Sequence, residues 1–173
     1  MTEFAAWLAG TALSNTIAAN LWVIPLVQSI HILAIAVVFV SLLVVVLRIW
    51  GWAGRDQSLT ATTDRFVPVI WGAFALLVLT GLLMVLGEPA RELISFSFWA
   101  KMALLAIGLL AVIGFQRHLS RHRAAWESTL SAQPLTRLLA GLTLLVWAGV
   151  IVMGRLIAWD ARIWGSLSPQ LVG

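Results

Sequence analysis

Residues 21–47 read Leu-Trp-Val-Ile-Pro-Leu-Val-Gln-Ser-Ile-His-Ile-Leu-Ala-Ile-Ala-Val-Val-Phe-Val-Ser-Leu-Leu-Val-Val-Val-Leu, an apolar run that holds a single ionisable side chain, His31. A hydrocarbon core about 30 Å thick takes roughly 20 residues of α-helix at 1.5 Å rise, so this stretch is long enough to cross a bilayer. Three further runs have the same character: Phe66 to Gly87, Leu93 to Gln116, and Leu138 onward to about residue 157. Lys101 is the only other ionisable group well inside them. The chain is therefore predicted to be an all-α integral membrane four-helix bundle, a single domain over residues 1–173, with spans at about 21–47, 66–87, 93–116 and 138–157. Its preceding segment, 1–20, sets Phe4, Trp7, Leu8, Leu13 and Ile17 among Ser, Thr and Asn, the pattern of a short interfacial helix.

Composition agrees, with 61% hydrophobic and 10% charged residues in 173, far from the soluble balance. The absence of cysteine excludes disulfides, thiolate metal sites and cysteine nucleophiles. The net charge of +4 is carried by arginines in short connections, where it orients a membrane chain and calls for no nucleic-acid partner. Met1-Thr-Glu3-Phe4 lacks a basic n-region, so no signal cleavage is expected.

Helix signals mark the boundaries. Thr62-Thr63-Asp64 offers N-cap oxygens before the second run, with Pro68 in its first turn, and Pro134 introduces the fourth. Arg48, Arg55, Arg65, Arg117, Arg121, Arg123 and Arg137 gather on one side, seven of the eleven basic residues. By the positive-inside rule that side is cytoplasmic, and both termini are non-cytoplasmic in a multi-pass protein of a bacterial inner membrane. Trp22, Trp99, Trp159 and Trp164 mark one interface, Trp50, Trp52, Trp71 and Trp126 the other, and Trp147 falls near mid-membrane. Gly108, Ala111 and Gly114, with Gly72 and Ala75, are small enough for close helix approach.

Counting 1.5 Å per residue from Arg48, Arg65, Arg117 and Arg137 puts His31, Met84, Lys101, Met102, Met153 and Arg155 in one layer, about 22 to 28 Å above that boundary. An intramembrane imidazole is costly and needs a reason. His31 is the candidate ligand to haem iron or to copper, with Gln28 and Thr80 as candidate neighbours for its second nitrogen. Lys101 and Arg155 are candidates for holding anionic groups such as haem propionates. Met84, Met102 and Met153 offer thioethers to copper. Simpler roles stand beside these: a hydrogen-bonded packing histidine, a lysine snorkelling to headgroups, an arginine at a helix C-terminus, methionines filling gaps. His118 and His122, four apart among Arg117, Arg121 and Arg123, read as a basic headgroup-facing surface. All seven carboxylates fall outside the spans, which argues against the buried acid relay of proton-driven transporters. No hydrolase triad, phosphate loop or His-Glu-x-x-His motif is present, and enzymatic activity is left open.

Leu21-Trp22-Val-Ile-Pro25-Leu-Val-Gln28-Ser-Ile-His31, Trp71-Gly-Ala-Phe-Ala, Leu79-Thr80-Gly81, Phe98-Trp99-Ala-Lys101-Met102 and Gly154-Arg155-Leu-Ile-Ala-Trp159 resemble an uncharacterised family of bacterial four-span membrane proteins, a domain of unknown function, over nearly the whole chain. A first-span His, a Thr-Gly in the second span and an aromatic-x-x-Lys opening the third are more distantly similar to the copper-resistance D proteins and the J-type protoporphyrinogen oxidase. That resemblance implies b-type haem at His31 and Lys101. The oxidase pattern's further histidine, about three turns past its lysine, has no counterpart, since the stretch here is Leu109-Leu110-Ala111-Val112. The expected function is a redox or electron-transfer role with haem b. Copper binding or permeation through the His/Met layer is the alternative, and a structural or assembly subunit without a ligand is a third. Expected partners are the lipid bilayer, a second copy of the chain or a membrane redox protein.

Overall fold

The computed structural model describes residues 1–122 and 134–168; Arg123, Trp126 and Glu127 lie outside the described residues. Among these residues every regular element is helical. Helices α1 (Thr2–Ala9) and α2 (Ala12–Ala19) precede α3 (Val23–Trp50), α4 (Leu59–Gly87), the short α5 (Pro89–Leu93), α6 (Phe96–Arg121) and α7 (Pro134–Leu156). A 3₁₀ turn (Ile157–Trp159), α8 (Asp160–Trp164) and a second 3₁₀ turn (Gly165–Leu167) complete the chain described. Four helices are long and apolar enough to cross a membrane, with mean hydropathy of 3.1, 2.5, 2.1 and 2.0 in chain order.

The helices outrun their apolar cores because local chemistry ends them later. At the end of α3, Gly51 adopts the left-handed conformation (φ 74°) and donates to Arg48 and Leu47 carbonyls, which stops the helix past the predicted Leu47. The N-cap of α4 is Ser58, whose Oγ accepts from the Ala61 N–H at 3.0 Å. The predicted capping residues sit one turn inside instead: Thr62 and Thr63 hydroxyls donate back to the Ser58 and Leu59 carbonyls at 3.1 and 3.0 Å. Pro68 consequently lies within α4 rather than in its first turn. The N-terminal segment forms two helices, not one. Thr11 breaks them, accepting from Ser14 N–H at 3.3 Å and donating to the Leu8 carbonyl at 2.7 Å.

Helix α3 packs chiefly on α4 and also on α7, and α7 packs on α6; α4 and α6 form no comparable seam. Their shared core is Ala34, Val38 and Leu42 of α3, Ile70 and Leu77 of α4, Val112 of α6 and Trp147 of α7. The outward faces are as apolar as the inside: Leu33, Val40, Leu79, Leu82, Leu110 and Leu145 are all exposed. A surface of this kind is stable only against lipid.

Trp147, predicted near mid-membrane, is 1% exposed and sits against Gly108 of α6. A Cβ at Gly108 would come within 2.9 Å of the Trp147 Nε1, part of a rigid ring with nowhere to move. Gly108→Ala is expected to cost about 1 to 3 kcal/mol through overpacking, read as a lower unfolding temperature in detergent. Gly72 and Gly114 differ. Nothing among the described residues lies within 4 Å of a Cβ at either. Trp50 is also tied inward, its Nε1 donating to the Arg137 carbonyl at 2.9 Å, while Trp22, Trp52, Trp99 and Trp159 are exposed near the helix ends.

One end of the bundle is capped. There α1 lies on α5, and Ala5 is buried with Leu93, Phe98 and Ile157. Asp160 closes the same end by accepting from the Phe96 and Ser97 N–H groups at 3.0 and 2.9 Å, at the N-terminus of α6 where a carboxylate is favoured. Ser168 donates to the same carboxylate, and Trp164 Nε1 donates to Ser97 Oγ at 2.8 Å.

Candidate ligand cavity around His31

Between α4 and α6, toward the capped end and backed by α3 and α7, lies a cavity of about 190 Å³. Its walls are mostly apolar, including Phe74, Leu82, Phe98 and Leu105. Its polar lining is brought by His31 of α3, Glu92 of α5 and Lys101 of α6, with Met84 and Met102 beside them.

The imidazole is fixed by α4. His31 Nδ1 lies 2.7 Å from Thr80 Oγ1, and that hydroxyl also lies 2.7 Å from the Leu76 carbonyl and 3.2 Å from the Leu77 carbonyl. A hydroxyl has one proton, and the two carbonyls can only accept it. The Thr80 oxygen is then left to accept from His31, so Nδ1 carries a proton. In an uncharged imidazole this leaves the lone pair on Nε2. Gly81, next along α4, brings backbone beside the ring: a Cβ there would lie 3.7 Å from His31 Cε1.

Four of the six residues of the predicted layer, His31, Met84, Lys101 and Met102, line the cavity. Met153 and Arg155 do not, and Arg155 is exposed. The reason is angular. Trp147 and Val150 of α7 line the cavity and a Cβ at Gly154 would lie 3.8 Å from the Lys101 stem, so residues 153 and 155 are turned about 100° to either side. Depth along a helix was countable; rotation about it was not.

Glu92 is the residue that counting missed. It lies outside the spans as predicted, but Pro89 starts a single helical turn that folds the chain back, and Glu92 is left 3% exposed against the cavity. A carboxylate is therefore buried against the cavity, contrary to the expectation that the acids stay outside the bundle. The only nearby signals in sequence were the Pro-initiated turn and the apolar Leu93 beside it. The side chains of Glu92 and Lys101 do not pair: the one ion pair among the described residues joins Arg91 to Glu88 at 2.6 Å. Burial pushes the Glu92 carboxyl up from its ordinary value, with Lys101 and Arg91 pulling it down and Glu88 adding to the rise. An acid raised in the folded state binds more protons folded than unfolded, so stability falls as pH climbs from the unfolded value through the folded one. Glu92→Gln is expected to flatten that decline, which thermal scans at acid and neutral pH would reveal as a smaller shift than in the parent.

His118 and His122 lie at the far end, exposed, with ring centroids 4.6 Å apart and His122 Nδ1 3.0 Å from the His118 carbonyl. No group of three or more His, Cys, Asp or Glu able to hold a metal occurs among the described residues.

A helical protein with four bilayer-length segments and a polar cavity between two of them is thus the class defined by fold and site. The chain belongs to the DUF6644 family, a family of unknown function, whose sequence model matches residues 10–160. No curated protein and no solved structure matches it, so the likeness to copper-resistance D proteins and the J-type oxidase gains no support there.

Proposed function

We propose that the protein is a membrane redox protein that holds b-type haem through His31 Nε2. The observation that carries this is the Nδ1 contact with Thr80 at 2.7 Å, because an imidazole whose other nitrogen is hydrogen-bonded by the protein is oriented and made more basic for a metal. Apolar and aromatic walls suit a macrocycle, Lys101 suits an anionic propionate, and Met84 and Met102 would offer thioethers to the iron. The enclosed space is of the size that takes one ring, about 150 Å³ being enough for benzene. A larger planar group would extend into the open side between α4 and α6. When bound, haem would supply one-electron chemistry. His31 would orient it, Thr80 would fix His31, and the walls would exclude water.

A second reading is a copper(I) site made by His31 with Met84 and Met102, favoured because both thioethers share the cavity. The ammonium of Lys101 in the same cavity works against a bare cation and supports an anionic ligand, which places haem first. Absorption spectra and copper analysis of one detergent-purified sample, expressed with added haem, separate the two. A Soret band without copper is expected. A colourless sample with stoichiometric copper would favour the second reading, and one with neither would overturn both.

A further inference from the structure

Metal ligation leaves two groups of the His31 cavity without an explanation. Glu92 reaches it from α5 and Lys101 from α6, the lysine stem passing 3.8 Å from a Cβ position at Gly154. Opposite charges in such surroundings attract strongly. These two nevertheless approach no closer than 4 Å, and neither side chain has a hydrogen-bond partner among the described residues. Both side chains open onto a cavity that admits a small group, and a shared cavity between two unpaired polar side chains is room for a group that satisfies both.

The charge balance says what that group is. Arg91 already neutralises Glu88, and α1, packed on α5, carries only Glu3, which is exposed. His31 brings no negative charge to the cavity, and burial favours the uncharged acid form of Glu92. Lys101 is the one Lys or Arg side chain lining an otherwise apolar space, and the Glu92 carboxyl shares it. An anion with two acceptor oxygens meets both needs, one oxygen accepting from the ammonium and the other from the Glu92 O–H. The apolar lining from Phe74, Leu82, Phe98 and Leu105 asks that the anion be carried on an apolar body.

We infer that Glu92 and Lys101 form a carboxylate-binding subsite at the capped end of the His31 cavity, taking a carboxylate borne on a hydrophobic ligand. A haem propionate and the head of a long-chain fatty acid both have this chemistry. The first source rests on the haem reading above; the second stands without it. Arg155, exposed on the other side of α7, takes no part.

The test is equilibrium binding of haem b, haem dimethyl ester and a radiolabelled long-chain fatty acid to the full chain in lipid nanodiscs. A charge-assisted hydrogen bond contributes about ten- to a hundredfold in affinity, so the parent protein is expected to prefer haem over its dimethyl ester by that factor. Lys101→Met and Glu92→Ala should remove the preference. Glu92→Gln, which keeps an uncharged N–H donor, should retain it, and this variant also controls for folding. Equal affinity for haem and its ester would overturn the subsite and leave the haem reading intact. Fatty-acid binding that depends on Lys101 and Glu92, with no haem binding, would support the subsite and end the haem reading. If no carboxylate binds, or if Glu92→Gln behaves as Glu92→Ala, the inference is wrong.

Discussion

His31→Ala is expected to abolish the Soret absorption of the purified protein while leaving its helical content and detergent solubility unchanged. The expectation follows from the position of the ring. His31 is the one histidine lining the cavity, and the other two lie exposed among the residues of the opposite end. Removing it leaves no imidazole within reach of a metal held between α4 and α6. The neighbouring Thr80→Val keeps shape but deletes the acceptor of Nδ1–H, and should weaken metal binding by about ten- to a hundredfold without abolishing it. This graded pair separates ligation from general damage. Equal loss in both variants would instead mean that the site collapses when α3 and α4 are disturbed. An unchanged spectrum in His31→Ala would remove the imidazole from the account altogether.

The second large effect lies at the capped end. Asp160 accepts from two backbone N–H groups at the start of α6 and from Ser168, and it is buried while doing so. Asp160→Ala would strand the Ser97 N–H, while the Phe96 N–H keeps Ser168 Oγ as an acceptor at 3.0 Å, and each unsatisfied buried group costs about 1 to 3 kcal/mol. We expect a loss of roughly 2 to 4 kcal/mol, with a lower midpoint of thermal unfolding and easier proteolysis after Leu156. Asp160→Asn keeps one acceptor oxygen and should lose about half as much. A variant within 0.5 kcal/mol of the parent, in the range of ordinary surface changes, would show that the C-terminal turns do not hold α6 in place.

The four bilayer-length helices were legible because lipid imposes one requirement, a continuous apolar run, that sequence displays directly. Their ends were less so. Ser58 acts through its side-chain oxygen and Gly51 through backbone geometry, and the polar first turns of α4 are helical though they carry no apolar signal. In the cavity, the heights of His31, Met84, Lys101 and Met102 came from a count along each helix, whereas the rotation that carries Met153 and Arg155 away depends on how α7 packs against α3 and α6. A helix bathed in lipid is apolar all round, with no polar face to reveal which side turns inward. Glu92 and Asp160 share one reason for escaping notice. Glu92 sits in a short connection and Asp160 at the start of α8 after the last span, both folded back onto a helix end, and such contacts, between residues 63 or 64 positions apart in the case of Asp160, leave no local pattern.

The claim on which the functional account rests is the state of one ring: His31 uncharged, its proton on Nδ1 toward Thr80, its lone pair on Nε2 toward the cavity. Nitrogen-15 NMR of histidine-labelled protein in lipid bilayers reads this state, with His118→Gln and His122→Gln used to isolate the signal. The account predicts a protonated Nδ1 and a bare Nε2 in the metal-free protein, with loss of that pattern in Thr80→Val. A proton on Nε2, or a doubly protonated ring at neutral pH, would contradict it.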